Sequence, residues 1–524
     1  MTMLIGIGVI TRRLFRGTAV DYFVASRGLG SFLLLMSLFG TTMTSFAIIG
    51  SSGEAFRSGI GVYGLMVSWS GIFHSFCFFF VGIKLWALGA KYGYQTQIQY
   101  FRDRFASDKL GLMLFPALVG LVTPYILMGI IGGATSMEKI TAGAFPGHFP
   151  QSAGGIPYWI CGLVMCVVVL IYIFFGGVRG AAWANAVQTI LFIGLGIVTF
   201  FVIADKLGGV QEATQRVVEN NPSYLKLDAT EQDHILYDQR LAEFTAGITK
   251  APPREPDEIP PLKFLTYIFI PLSVAMFPHL FQHWLTAKNA KAFKISVVLH
   301  PLLMMLTWLP CVLIGVWATS AIMPDGTLVV PPGVPENGVL PLMVRKLSTP
   351  VMGGLLTAGV LAAIMSSLDS QFLCLGSIFT NDIVGHYIGH ERLTDGQKLI
   401  IGRSFIVAIV AVCYILSLYL RNASVFALGT WCFTGFAALS PLVFGALYWK
   451  RATKVGAYCS ILAAAAVGLY FFSKSDLKSK GDYLIGGMMP VTFVFAASAL
   501  ALVIGSLASR PPAEKTIRKF FAAA

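Results

Sequence analysis

An all-α polytopic membrane protein of about thirteen transmembrane helices is the fold class this sequence predicts, and three observations predict it. The chain of 524 residues is 56% hydrophobic and only 12% charged. Apolar windows of about 20 residues, the length a helix needs to cross a bilayer, recur from one end to the other. The few charges gather between those windows instead of forming repeating amphipathic faces, so one membrane domain is a simpler reading than several soluble ones.

Taken in order, the windows place spans near 1–11, 30–50, 61–82, 111–134, 157–175, 182–203, 264–285, 296–320, 351–378, 402–420, 425–448, 456–473 and 484–508. The first run is too short to cross and reads as the end of a helix whose start was lost to a late start codon or a truncation. It does not read as a signal peptide, because no charged segment precedes it and no cleavage site follows. Alternate loops beginning with Arg12, Arg13 and Arg16 hold roughly 23 Lys/Arg, against roughly 8 in the opposite short loops. The positive-inside rule therefore predicts an N-terminus outside and a C-terminus in the cytoplasm, in the plasma (inner) membrane. This divides the chain into a partial span with a cytoplasmic loop (1–29), two long membrane stretches (30–203 and 263–448) around an external loop (204–262) that is Pro-rich over 251–261, and two extra spans with a basic cytoplasmic tail (449–524).

A formal charge of +13 raises nucleic acid as a partner, but the basic residues sit in short loops between apolar runs, where they report topology. All eight cysteines (Cys77, Cys161, Cys166, Cys311, Cys374, Cys413, Cys432 and Cys459) fall inside apolar runs without metal-ligand spacing, and read as reduced packing residues.

Chemistry concentrates in three segments. In Gly359 to Asp382, GVLAAIMSSLDSQFLCLGSIFTND, helical spacing puts Ala363, Ser366, Ser367 and Ser370 on one face. Two or three hydroxyls and a freed carbonyl at one spot suit a small hard cation, which prefers oxygen ligands. The alternative is that these serines are small residues that let helices pack closely, with hydroxyls bonded back along the helix. Asp369 weighs toward function, because an ionisable group deep in a bilayer costs several kcal/mol unless a cation or proton partners it. In Ser37 to Gly53, SLFGTTMTSFAIIGSSG, hydroxyls and glycines interrupt an apolar run, as in a broken helix that releases carbonyls or in a kinked one. In Phe277 to Leu285, FPHLFQHWL, Pro278 breaks a span and leaves His279 and Gln282 beside the break.

These segments resemble the sodium:solute symporter family, including its sodium/proline, pantothenate and monocarboxylate branches. The likeness runs nearly the whole chain, through DYFVASRGLG (Asp21 to Gly30), YFRDRF (Tyr100 to Phe105), FGGVRGAAWANAVQ (Phe175 to Gln188), FPHLFQHWLTAKNAKA and LAAIMSSLDSQFLCLGSIFTNDIV. The resemblance implies a core of two inverted five-helix repeats, with solute and ion held where the first helix of each is broken, near Met43 and Pro278. It also implies a sodium site made by the carbonyls of Gly40, Met43 and Ala363 and the hydroxyls of Ser366 and Ser367, with Na+ as the coupling ion and no other cofactor. One departure matters: many relatives carry an aspartate where this chain has Asn185. We expect that acid to be relocated, so that Asp369, Ser370 and Asn185 form a second cation or proton site.

For the solute, the expected pocket residues are Ser45, Trp69, Phe277, His279, Thr430 and Trp431. The FPH tripeptide is similar to the proline-histidine pair of carboxylate-transporting branches, which leans toward an organic anion, and the expected solute is a carboxylate or an amino acid. His279 also reads as a histidine hydrogen-bonded to the broken backbone, since helix breaks recruit polar side chains. Two further classes stay open at this stage. A membrane-embedded enzyme would need a cluster of acids, bases or metal ligands at one face; His386 and His390 have i, i+4 spacing but no obvious third ligand. A sensor or channel on the same fold is not separated by sequence, nor is proton coupling through Asp369. The expected partners are the solute, sodium and the bilayer, with no nucleic acid and no obligatory protein.

Overall fold

The computed structural model describes Gly6 and residues 18–248, 253–331, 333–475 and 483–521. Gly6 apart, the predicted partial span at 1–11 lies outside the described residues, as do Arg12, Arg13 and Arg16. Among the described residues the structure is helical, and β pairing is confined to isolated bridges such as Leu29 with Ala287.

The first apolar stretch is a pair of half-helices, α1 (Ser31–Thr42) and α2 (Phe46–Ser58), bent by 56°. Then follow α3 (Gly61–Tyr92), α4 (Asp108–Thr141) and α5 (Tyr158–Lys206). A second pair, α6 (Pro261–Ala275) and α7 (Pro278–Thr286), is bent by 51°. The rest are α8 (Ala290–Trp317), α9 (Pro350–Ile388), α10 (Asp395–Tyr419), α11 (Val425–Tyr448), α12 (Lys454–Lys474) and α13 (Pro490–Leu507). Among the described residues, nine helices are long and apolar enough to cross a bilayer alone, with the kinked α5 counted once, and each bent pair counted as one span brings the total to eleven. The expected thirteen are not reached among the described residues. The spans expected at 157–175 and 182–203 are the two helical segments of the 49-residue α5, which meet at a kink at Gly177 with φ 53° and ψ −156°. Only glycine adopts that conformation cheaply, and a Cβ at Gly177 would lie 2.8 Å from the Tyr22 carbonyl. The kink falls between the two expected spans.

Span starts follow capping chemistry. Thr349 accepts from the Met352 amide with Pro350 in the first turn, Thr394 and Gln397 form a capping box, and Ser424 and Thr453 cap α11 and α12. The breaks are chemical as well. Thr42 Oγ1 donates back to the Leu38 and Phe39 carbonyls, Thr44 Oγ1 accepts from the Phe46 amide, and between them Met43 leaves helical geometry at φ −83° and ψ 83°. At the second break Pro278 has no N–H to give, and Phe277 before it is extended.

In α11, 83% of the apolar window is buried, against 22% in α10. So α11 is central, packed against α4, α6 and α13, while α10 lies at the lipid-facing rim. The long loop between α5 and α6 carries helices Val210–Asn220 and Glu231–Thr245. It is tied to the end of α2 through Arg57, which sits 2.5 Å from Glu54 and 3.3 Å from Asp257.

Candidate cation and solute site

The site is built where α9 crosses the α1–α2 break. Ser366 Oγ donates to the Gly40 carbonyl at 2.6 Å and lies 3.0 Å from the Ala363 carbonyl of its own helix. The approach requires glycine, because a Cβ at Gly40 would stand 2.5 Å from Thr189 Oγ1 and 3.3 Å from Ser366 Oγ. Thr189, on α5, bonds the Met36 carbonyl, so a third helix closes the crossing. Met43 lies at the break itself, and the neighbouring Ser367 Oγ accepts from Gln371 Nε2 at 2.9 Å. Gly40, Ala363 and Ser366 are thus in direct contact, with Met43 and Ser367 flanking them.

One turn further along α9, Ser370 Oγ is the hub of a polar knot. It lies 3.0 Å from Asp369 Oδ1, 2.9 Å from Thr41 Oγ1, 3.0 Å from His283 Nε2 and 3.2 Å from the Asn185 amide. Tyr172 of α5 donates to Asp369 Oδ2 at 3.1 Å. Turning the Asn185 amide over satisfies more of its neighbours: its nitrogen then donates to Asp369 Oδ2 at 3.0 Å and its oxygen accepts from Ser370 Oγ at 3.2 Å. Asp369, Ser370 and Asn185 therefore meet, and α1, α5, α7 and α9 each contribute a polar side chain. Asp369 is fully buried, and among the described residues it has no ion pair with lysine or arginine. Sequence reasoning missed Thr41, Tyr172 and His283. His283 stands one turn after His279 and could have been found by extending the broken-helix argument along α7.

The solute candidates divide. Phe277 and His279 stack at 5.2 Å beside the second break, with Tyr125 at 5.1 Å from the imidazole and Phe433 and Phe436 5.5 and 5.0 Å from Phe277. Phe46, just past the first break, meets Phe433 at 5.0 Å, so both breaks border one aromatic cluster. His279 is fully buried, and neither ring nitrogen has a hydrogen-bond partner in the structure. Ser45 is also buried with an unpartnered hydroxyl, near Gly132 of α4. Trp69, Thr430 and Trp431 point elsewhere: the Trp69 indole donates to the Phe264 carbonyl at 3.0 Å, Thr430 bonds back to Phe426, and Trp431 packs edge-on against Phe472 of α12. Tyr125, Phe433 and Phe436 were not foreseen, since aromatics in apolar runs carry no local signal of function.

His386 Nε2 lies 3.2 Å from Asp108 Oδ1. The His390 side chain is outside the described residues. No group of three or more His, Cys, Asp or Glu among the described residues is placed to hold a metal.

A helical bundle with two broken spans facing one buried polar and aromatic centre defines a membrane transporter. Residues 22–464 match the sodium:solute symporter family, and the chain belongs to it. It is 24% identical to an osmoregulated proline transporter of Bacillus subtilis over 505 residues, 95% of this chain and 92% of that one. It is 24% identical to the sodium/pantothenate symporter of Escherichia coli over 517 residues, 97% of this chain and 94% of the relative. In fold it is similar to a Na+-coupled sialic acid symporter solved in a substrate-bound outward-open state, with a TM-score of 0.71 at 16% identity, covering 97% of this chain and 96% of that one. The protein is a multi-pass membrane transporter and not an enzyme.

Proposed function

We propose that the protein couples inward sodium flow to uptake of a small organic solute, a carboxylate or an amino acid, by alternating access. The observation that carries this reading is the Ser366 hydroxyl on the Gly40 carbonyl, which joins α9 to the broken first helix at 2.6 Å. A sodium ion held by the carbonyls of Gly40, Met43 and Ala363 and the hydroxyls of Ser366 and Ser367 would tie these two elements together and favour the solute-binding form. Coupling is then a difference in affinity between two states. One charge crossing about 100 mV releases roughly 2.3 kcal/mol, and a tenfold sodium gradient adds roughly 1.4 kcal/mol. Together they sustain a solute gradient of several hundredfold per ion.

In this reading 30–203 and 263–448 are the two inverted repeats, and the basic loops and tail lie in the cytoplasm. The solute sits between the breaks, its polar end at His279 and Ser45 and its apolar body on Phe277 and the surrounding rings. A second reading, proton coupling, is favoured by one observation: Asp369 is buried among Ser370, Tyr172 and Asn185 and has no ion pair with lysine or arginine among the described residues.

The test is uptake into proteoliposomes of labelled monocarboxylates, amino acids and pantothenate under inward sodium or proton gradients, for the unaltered chain, Ser367→Ala and Asp369→Asn. Sodium-driven uptake lost in Ser367→Ala supports sodium coupling. Proton-driven uptake lost only in Asp369→Asn moves the coupling to that carboxyl. Failure of either gradient to drive any of these solutes counts against symport.

A further inference from the structure

At the end of the bundle opposite the long loop, a short amphipathic helix, Glu514–Phe521, follows α13 after Pro511 and Pro512. It docks on the connection between α3 and α4, which itself carries the helix Gln97–Arg104. The contacts are varied. Tyr92 donates its hydroxyl to the Lys519 carbonyl at 2.7 Å, and Lys519 Nζ reaches Asp103 Oδ2 at 2.5 Å. Phe520 is 7% exposed, seated 5.9 Å from the Tyr92 ring and 6.1 Å from Tyr100. The Arg104 guanidinium lies 5.0 Å from the Phe521 ring, while its nitrogens bond the Ala446 and Trp449 carbonyls at the end of α11.

What this connection holds in turn is the second helix break. Gln97 is buried, and its Nε2 donates to the Met276 carbonyl at 3.1 Å, one residue before Phe277. Tyr100, in contact with Phe520 on one side, meets Phe281 of α7 on the other at 6.4 Å. The docked helix also borders an open cavity of about 570 Å³, lined as well by Arg102 and Asn381. Arg102 there pairs with the fully buried Asp382 of α9 at 3.5 Å.

We propose that Glu514–Phe521 is a clamp: by gripping the α3–α4 connection it fixes the α6–α7 break through Gln97, and its release frees this end of the bundle to open. Gln97 is a positioning residue, acting on the carbonyl that the break leaves without a helical partner. A helix of eight residues is too short to be stable by itself in water, so its order here comes from the docking contacts and can be lost without unfolding the spans. The proposal rests on the transporter reading only for its consequence in transport; the docking and its effect on the break are testable with no solute or ion.

The experiment places a protease site at Arg510 to Ala513 of the full chain, so that the protein folds intact and is cut afterwards, with the released peptide removed by gel filtration and its loss verified by mass. Two readouts follow: labelling of Asn381→Cys by an impermeant maleimide, with the chain lacking that substitution giving the background of the native thiols, and hydrogen–deuterium exchange over residues 274–281. Cutting is expected to speed labelling at least fivefold and exchange over 274–281 several-fold. Gln97→Met, with the helix still attached, is expected to speed the exchange while leaving the labelling unchanged. The proposal is overturned if the peptide is gone and labelling does not rise, or if labelling rises while exchange over 274–281 stays as it was. Sodium-driven uptake that fails while both readouts respond would refute the symport reading and leave the clamp standing.

Discussion

Ser370 Oγ lies 3.0 Å from His283 Nε2, so one hydroxyl of α9 touches the second broken span, and through Thr41 Oγ1 at 2.9 Å it touches the first. Removing the imidazole deprives two buried hydroxyls of a partner at once. His283→Ala is expected to destabilise the protein by about 1–3 kcal/mol, from the buried hydrogen bonds lost and the cavity left by the ring. His283→Gln, which keeps a donor and an acceptor, is expected to recover most of that. A fluorescence melting curve of each variant in detergent measures both.

Gly40→Ala should act on the cation more than on the solute. The added methyl presses on Thr189 Oγ1 at 2.5 Å and on the Ser366 hydroxyl at 3.3 Å, at an overpacking cost of about 1–3 kcal/mol. The expected result is a rise of at least tenfold in half-saturating sodium, about 1.4 kcal/mol, with a smaller change in solute KM at saturating sodium. Sodium titration of uptake decides it, and an equal rise in both constants would count against the assignment.

The opposite split is expected at His279, whose two ring nitrogens are buried without a hydrogen-bond partner in the structure, beside Tyr125 and Phe277. His279→Phe keeps the ring and removes the polar atoms, and should raise solute KM about tenfold or more with half-saturating sodium little changed, the loss of roughly one good hydrogen bond to a charged solute. A variant that transports normally would place solute recognition elsewhere.

Gly177→Ala tests the turn in α5. The residue is in positive φ and its new methyl would run into the Tyr22 backbone, 2.8 Å from the carbonyl oxygen. A cost of about 1–3 kcal/mol is expected from the strain of that conformation, visible as reduced thermal stability, whereas Gly194→Ala, with open space around it, should be neutral or slightly stabilising.

In the long loop, acid should loosen the helix Glu231–Thr245. Partial burial pushes the Asp233 carboxyl upward, but the Lys226 ammonium, with the Thr230 hydroxyl and amide, outweighs it and holds the group below the ordinary carboxylate range. A carboxyl depressed in the folded state adds stability that is fully present above the unfolded value of about 4 and is lost as pH falls through the folded one. Amide exchange in this helix, corrected for its intrinsic pH dependence, is expected to speed up as pH drops below about 4, and Asp233→Asn should abolish that step.

How legible this was in the sequence varies with the range of the interaction. Apolar windows gave the spans, and the residues that break them, Thr42 to Ser45 and Pro278, were visible because backbone disruption is a local chemical effect. The contact of Ser366 with Gly40 joins positions 326 residues apart, and the shared helical face of Ser366 and Ser370 hinted only at half of it. Tyr172 and Phe433 could not be read at all, because an aromatic side chain in an apolar run has the same local pattern whether it faces lipid or a buried centre. The join in α5 was legible because it is local: Gly176 and Gly177 interrupt the apolar run, and the chain kinks at Gly177 between two helical segments.

That join has a mechanical side. Arg179 pairs with Asp21 at 2.8 Å and bonds the Ala25 carbonyl, while Gly177 is pressed against Tyr22, so the short helix Ala19–Val24 braces the only non-helical residue in α5. The arm beyond it, from Val178 to Lys206, is a rod of about 44 Å at 1.5 Å per residue. Ten degrees of torsion at that one residue sweeps the far tip through about 8 Å, a lever ratio set by arm length. Asn185 and Thr189 ride close to the fulcrum, where the same torsion moves them by only about 2–3 Å. A small rotation at this join therefore strains the polar contacts of Asn185 and Thr189 while it displaces the rim much further, and the segment before α1 becomes the seat of the bearing.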